Sequence, residues 1–247
     1  MKSGRLPDSL LERYSRQIAI PGFSIESQLK LKESRVTVFG VGGLGSPASL
    51  YLAAAGFGHI RLVDHGSYEL NNLNRQVLSW EADLGVSKVD AAARKIRAFN
   101  SDAVVEALNV RVDDSNVESL ISGSSVVVDA LDNWESRFVI NKACVKLGIP
   151  LIHGGVSGFS GKLATILPGR GPCLRCIYPS TPVKERVVPV FGAVAGVVGV
   201  LEALEAAKVV TGYGEPLVGK LLLINGKYMD FTTISISRNP DCPVCGG

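Results

Sequence analysis

Four of the five cysteines stand in two Cys-x-x-Cys pairs, Cys173/Cys176 and Cys242/Cys245, with no cysteine between them. Four thiolates are the full ligand set of a tetrahedral structural zinc, and a two-residue spacer lets a tight turn aim both sulfurs of a pair at one ion. Each pair lies in turn-forming sequence, Gly-Pro-Cys-Leu-Arg-Cys and Asp-Cys-Pro-Val-Cys-Gly, so neither is expected inside a helix. A redox dithiol or two disulfides would use the same residues, but the ligand count favours Zn²⁺. Such a site would pin the last residues of the chain to a distant loop and would not itself perform chemistry. The fifth cysteine, Cys144, falls in a predicted helix between Ala143 and Val145 and reads as buried packing.

A second set of residues points to a nucleotide. Val36-Thr-Val-Phe-Gly40-Val-Gly42-Gly43-Leu-Gly45-Ser46-Pro47 is a Gly-x-Gly-x-x-Gly loop between a β-branched run and a helix opening. Glycines let the backbone approach a phosphate, and the free N–H groups of the helix N-terminus favour negative charge. Asp64 ends the next apolar run, where a carboxylate can accept hydrogen bonds from ribose hydroxyls. Taken alone these features would also suit a nicotinamide enzyme, or a tight strand-to-helix crossing with an exposed acid. The residues that follow separate the readings. Asn71-Asn-Leu-Asn-Arg75-Gln76 and Lys88 place amides and two cations close behind Asp64, as attack on a triphosphate requires when charge grows on the phosphate oxygens. In Val126-Val-Val-Asp129-Ala-Leu-Asp132-Asn133, a buried strand runs into acids and an Asn suited to cap a helix. Asp132 is placed to hold Mg²⁺ as a hard oxygen ligand, its plain alternative being a helix cap, and Asp129 reads as structural.

The elements that must position these groups alternate. Runs at 35–39, 60–63, 104–109, 126–130 and 150–154 read as strands, and 47–55, 88–99, 115–121 and 135–147 as helices. That order predicts an α/β fold, a Rossmann-like, mainly parallel sheet with helices on both faces. Beyond Gly155, segments 161–167, 221–225 and 230–237 read as antiparallel strands continuing the sheet, in the half that carries the cysteines. The apolar run from Val187 to Leu201 is rich in glycine, too short to span a bilayer, and reads as a buried loop and helix start. No repeat or linker interrupts the 247 residues. A single domain is expected, with a nucleotide half at about 30–155 and a zinc-bearing half at about 156–247.

Composition narrows the partners. A net charge of +3 is too small to argue for nucleic acid or an anionic membrane, and 46% hydrophobic residues support a sizeable core. The first fifteen residues are polar and mixed, without a secretory pattern, and zinc-held thiols suit a reducing compartment; a cytoplasmic protein is expected.

Arg13-Tyr-Ser-Arg16-Gln17, the glycine loop, Asp64, Asn72-Leu-Asn-Arg75-Gln76, Gly85-Val-Ser-Lys88, Leu131-Asp132-Asn133 and both cysteine pairs together resemble the MoeB/ThiF/HesA family of ubiquitin-activating-enzyme-like adenylyltransferases. The likeness runs in order through nearly the whole chain. It implies ATP- and Mg²⁺-dependent adenylation of the C-terminal glycine of a ubiquitin-like sulfur-carrier protein ending in Gly-Gly, of MoaD or ThiS type, with a separate sulfur donor. It also implies that Gly42, Gly43, Asp64, Asn72, Asn74, Arg75, Gln76, Lys88, Leu131 and Asp132 line the nucleotide. Arg75, Lys88 and Asp132 would act in the chemistry, together with an Arg16 that reaches a neighbouring subunit's site in a homodimer. Some family members carry a further cysteine after the first zinc pair; here the segment 177–196 has none, so adenylation without an enzyme thioester is expected. Carrier choice is expected in the apolar surface of the second half and the Tyr178 to Val190 loop. A nicotinamide oxidoreductase and a non-catalytic zinc scaffold that binds a carrier tail stand as the alternatives.

Overall fold

The computed structural model describes residues 6–182 and 188–246. The middle of the Tyr178 to Val190 loop, the first residue of the apolar run, the start of the N-terminal segment and the last glycine therefore lie outside the described residues.

The N-terminal segment, read from sequence only as polar, forms three helices, α1 (Asp8–Arg13), α2 (Ser15–Ile18) and α3 (Ile25–Glu33). Leu6, Leu10 and Tyr14 bury together beneath α1. Then come β1 (Arg35–Phe39), α4 (Gly45–Ala55), β2 (His59–Asp64), α5 (Lys88–Phe99), β3 (Val104–Asn109), α6 (Val117–Ile121), β4 (Val126–Asp129), α7 (Trp134–Leu147), β5 (Leu151–Ser157) and β6 (Ser160–Ile166). The chain ends with α8 (Leu174–Ile177), α9 (Gly192–Thr211), β7 (Lys220–Asn225) and β8 (Asp230–Ser235). All eight strands share one sheet in the order β3-β2-β1-β4-β5-β6-β7-β8. Pairing is parallel from β3 to β5 and antiparallel from β5 to β8, as the sequence predicts.

Side-chain parity builds the two layers. Val36, Val38, Ile60, Leu62, Val126, Val128 and Ile152 join α3, α4, α5 and α9 on one face. Phe39, Val63, Val127 and Leu151 join α6 and α7 on the other. Strands covered on both sides need apolar residues at successive positions, each contributing about 1.5–3 kcal/mol when fully buried. The strand order reverses between β1 and β4, and crevices outside the carboxyl ends of parallel strands at such a point are where ligands bind.

Two expectations change. The apolar run is a loop leading into a helix, as expected, but the loop is not buried: Val188 and Phe191 are exposed, and α9 begins at Gly192 and runs for 20 residues. Two of its glycines serve packing. A Cβ on Gly199 would lie 2.2 Å from the Leu44 carbonyl oxygen, and one on Gly192 would lie 2.1 Å from that of Asn74. The first cysteine pair does not sit in a simple turn, because Cys173 precedes the first residue of α8 and Cys176 lies within that four-residue helix.

Candidate nucleotide and metal sites

At the carboxyl end of β1 the chain turns through Gly40, whose φ of +85° favours glycine and whose Cβ would lie 2.7 Å from the Ala130 carbonyl oxygen. A Cβ on Gly45 would fall 1.8 Å from the Gly40 carbonyl, so α4 can begin only with glycine there. Ser46 steadies the turn by donating its hydroxyl to the Val41 carbonyl at 3.0 Å. Asp64 has a more local role than the sequence foretells. Its two carboxylate oxygens accept the N–H of Val41 at 2.8 Å and of Gly66 at 2.8 Å, so it braces the glycine loop against the loop after β2. Each oxygen keeps a further lone pair for a ribose hydroxyl.

The segment behind Asp64 folds back onto the glycines. Asn72 is buried, its side chain accepting the Glu69 N–H at 3.3 Å and donating to Asn71. A Cβ on Gly43 would meet the Arg75 side chain at 3.3 Å, and the Gln76 amide nitrogen lies 3.8 Å from the corresponding point on Gly42. Gln76 is buried with its amide oxygen unpartnered among the described residues. Among the described residues Arg75 donates to neutral acceptors alone, the Asn71 carbonyl at 2.7 Å and the Asn74 side chain at 3.0 Å. Lys88 opens α5, and its side chain lies along Gly66, with Nζ 6.0 Å from the centre of the Tyr68 ring. Neither Arg75 nor Lys88 pairs with a carboxylate among the described residues, which leaves two unneutralised cations beside a phosphate-type loop.

Across the switch point, Leu131 packs 3.2 Å from the Cβ position of Gly40, which ties the end of β4 to the glycine loop. Asn133 caps α7 by accepting the Ser136 N–H at 2.9 Å, as expected. Asp132 is exposed, and among the described residues its carboxylate has no hydrogen bond or ion pair. One free carboxylate beside a phosphate site is the protein contribution Mg²⁺ usually takes, its other ligands being phosphate oxygens and water.

Underneath lies Asp129, read from sequence as structural, with two partners that sequence reading missed. Asp129 and His153 are fully buried, with His153 Nδ1 2.8 Å from Asp129. Arg137, on α7, lies 3.9 Å from Asp129 and 3.3 Å from His153 Nε2, and it donates to the carbonyls of Gly154, at 2.9 Å, and of Leu131. Burial pushes the Asp129 carboxyl up, but Arg137 and His153 more than offset it and hold it below the usual range. Burial, and then Arg137, lower His153, so the imidazole is neutral. It then donates Nδ1–H to Asp129 and leaves Nε2 to accept from Arg137. One signal was available: Arg137, Ile140, Asn141 and Cys144 share a buried stripe of α7, and a charged residue in such a stripe must find a partner inside. On the opposite face of the sheet Glu202 is also buried, its carboxyl pushed well up by desolvation and then by Asp129.

The cysteines converge as predicted. Their four sulfurs lie within 4.8 Å of one another, with Cys173 and Cys242 at 3.7 Å and Cys176 and Cys245 at 3.4 Å. A tetrahedron with Zn–S bonds of about 2.3 Å has sulfur edges of about 3.8 Å, so the donor set and its spacing fit zinc. All five cysteines are free thiols. Burial pushes Cys173 up to about 12. At Cys242 burial also raises the thiol, but the Cys245 and Val244 N–H groups help bring it down to about 7. A divalent ion would hold every member as thiolate. The Leu174 N–H reaches the Asn141 side chain at 2.9 Å, which fastens the cluster to α7. Cys144 is fully buried, as expected, and burial pushes its thiol far up.

Arg16 is the one candidate the fold does not bring to its own site. It is exposed on α2, whose Gln17 donates to the Ala55 carbonyl at 3.1 Å. That carbonyl is at the opposite end of α4 from the glycine loop, about 16 Å away along an 11-residue helix.

Residues 14–244 match the model of the ThiF family. Over 242 residues the chain is 44% identical to a SAMP-activating enzyme E1 of Haloferax volcanii, covering 96% of this chain and 89% of that protein. It is 41% identical over 237 residues to the heterocyst HesA protein of Trichormus variabilis, covering 96% and 89%. It is 40% identical over 247 residues to the adenylyltransferase and sulfurtransferase MOCS3 of Drosophila sechellia, covering 98% of this chain and 54% of that one. Among solved structures, Escherichia coli MccB crystallised with ATP superimposes with a TM-score of 0.86 at 26% identity, covering 100% of this chain and 84% of that one. MccB with MccA-N7isoASN gives 0.88 at 28% identity, covering 97% and 76%.

Proposed function

The chain belongs to the ThiF family and is an adenylyltransferase, and we propose that the group it adenylates is the C-terminal glycine carboxylate of a ubiquitin-like sulfur-carrier protein. The observation that carries this reading is the pair of cations, Arg75 and Lys88, left without carboxylate partners against a glycine loop, with a free Asp132 across the switch point. That arrangement suits a triphosphate more than a dinucleotide, so the nicotinamide alternative is set aside. It is also more than a scaffold needs to hold a tail.

In this reading ATP lies on the glycine loop, with Gly42 and Gly43 against the phosphates and Asp64 at the ribose. Asn72, Asn74, Gln76 and Leu131 complete the walls. Asp132 would hold Mg²⁺, which supplies charge neutralisation on the phosphates. The carrier carboxylate attacks the α-phosphorus in line, one carboxylate oxygen forms the new P–O bond, and the bond to the β-phosphate breaks to release pyrophosphate. Arg75 and Lys88 stabilise the charge that grows on the phosphate oxygens. Sulfur then arrives from a separate donor, and Cys144 is too deeply buried to form a link to the carrier. The four-cysteine site holds zinc in a structural role. Because Arg16 stands far from its own glycine loop, it serves the site of a second copy in a homodimer. The unbroken sheet supports one domain with a nucleotide half and a zinc and carrier-binding half. No described helix is long and apolar enough to cross a membrane, and free thiols favour placement in the cytoplasm.

The test is ATP-pyrophosphate exchange with a panel of Gly-Gly-ended carriers of MoaD and ThiS type. Exchange that requires Mg²⁺ and one carrier, and that disappears when the carrier's last glycine is removed, is expected. Tight ATP binding with no exchange for any carrier or peptide would overturn the reading.

A further inference from the structure

Asp132 is the one exposed acid placed for Mg²⁺, yet nothing in its own side chain fixes where its carboxylate points. Its position is set by the peptide units on either side. On the far side Asn133 is clamped as the cap of α7. On the near side both polar groups of Leu131 are held from below: Asp129 accepts its N–H at 3.2 Å, and Arg137 donates to its carbonyl oxygen. The other terminal nitrogen of Arg137 bonds the Gly154 carbonyl at 2.9 Å, which anchors the guanidinium to β5. Neutral His153 closes the ring between Asp129 and Arg137. The Arg137 guanidinium carbon lies 5.2 Å from the centre of the Trp134 ring, and the Tyr178 ring packs tilted against Trp134 with centroids 4.6 Å apart, which covers the network.

We propose that Arg137, with Asp129 and His153, is a positioning residue for metal binding: it sets the Leu131–Asp132 turn so that Asp132 meets the Mg²⁺ of bound ATP. A charge buried only for packing would be satisfied by its carboxylate. This one spends its fork on two backbone carbonyls, that of Gly154 in β5 and that of Leu131 after β4, the second next to the ligand. Lysine cannot substitute, because a single ammonium does not span both carbonyls in a fixed plane. The inference rests on the proposed role of Asp132, so that role is measured alongside it.

The experiment is Mn²⁺ binding followed by electron paramagnetic resonance with a non-hydrolysable ATP analogue, beside metal-free binding of the same analogue. The proteins are wild type, Asp132→Asn, Arg137→Lys, Arg137→Gln and the Asp132→Asn/Arg137→Lys pair. Asp132→Asn and Arg137→Lys each weaken Mn²⁺ by about tenfold or more, as partners behind a metal ligand do, while metal-free nucleotide affinity stays within about twofold. The double variant is no weaker than Asp132→Asn alone, since Arg137 acts only through Asp132. Arg137→Gln behaves as Arg137→Lys does, and if it fails to fold the lysine variant decides. Unchanged Mn²⁺ affinity in folded Arg137→Lys, additive losses in the double variant, or an equal loss of metal-free nucleotide binding would each overturn the proposal. Unchanged Mn²⁺ affinity in Asp132→Asn would instead remove Asp132 as the metal ligand, and the positioning role with it.

Discussion

At the scale of single residues, the site contrasts free charge on top with satisfied charge below. Arg75, Lys88 and Asp132 have no oppositely charged partner among the described residues, while Asp129, Arg137 and His153 are buried and partnered with one another. The upper set was legible in sequence, because each member follows a glycine loop or a strand end by a fixed spacing. The lower set was not, since its three members come from β4, α7 and β5 and meet only once the sheet forms. Burial makes the lower set sensitive to pH. The folded pKa of His153 lies below the value of about 6.5 for an exposed imidazole, so below that pH the unfolded chain takes up a proton that the folded chain refuses. The stability is fully present above about 6.5 and is lost as pH falls toward the folded pKa. Asp129, also depressed, adds a second loss as pH falls below about 4. Thermal melts from pH 8 to pH 5 are expected to show wild type losing more of its Tm than His153→Gln. A parallel decline in both proteins would show that His153 does not titrate in this way.

At the scale of elements, glycine is the residue type that sequence reading handled both best and worst. In the β1-to-α4 turn the surrounding strand and helix patterns marked a tight glycine turn, and Gly40 and Gly45 stand where a Cβ would meet backbone at 2.7 and 1.8 Å. In the apolar run the helix start was legible, but why a poor helix former recurs inside α9 was not. Gly192 and Gly199 are there because the Asn74 and Leu44 carbonyls come within 2.1 and 2.2 Å of where a Cβ would stand. Those close approaches arise where α9 packs on the start of α4 and on the segment after β2, and they cannot be read from any one segment alone. Gly45→Ala is accordingly expected to break the site more than the fold: its Cβ would collide with the Gly40 backbone 1.8 Å away and displace the loop. Exchange is expected to fall by about a hundredfold, as it does when reacting groups are misplaced by about 1 Å, with Tm lowered by only a few degrees. Retention of near wild-type exchange would mean that the loop does not hold the phosphates.

At the scale of the whole molecule, the zinc site and Arg16 connect parts that the sheet alone does not. The second cysteine pair, close to the end of the chain, is carried back to α8 and so to α7, the helix that also bears Arg137. The spacing of the cysteines made this closure legible in sequence, although the short helix around Cys176 was not. One zinc per chain is expected by elemental analysis. Cys242→Ser should abolish it and expose the segment after β8 to proteolysis; full zinc content in that variant would contradict the four-thiolate site. Arg16 tests assembly. If each site of a symmetric dimer borrows Arg16 from its neighbour, then Arg16→Ala and Lys88→Ala are each inactive alone. Mixed and allowed to exchange subunits, they should regain about a quarter of wild-type activity, since a mixed dimer carries one intact site. No recovery would place Arg16 inside its own subunit's site, and an active Arg16→Ala would place it outside the chemistry. The central claim, attack of a carrier carboxylate on the α-phosphorus of ATP, is tested most directly by oxygen tracing. With a carrier that supports exchange, its terminal carboxylate is labelled with ¹⁸O, the adenylate is cleaved by a thiol, and the AMP is weighed by mass spectrometry. One ¹⁸O in the AMP is predicted; unlabelled AMP would contradict the account.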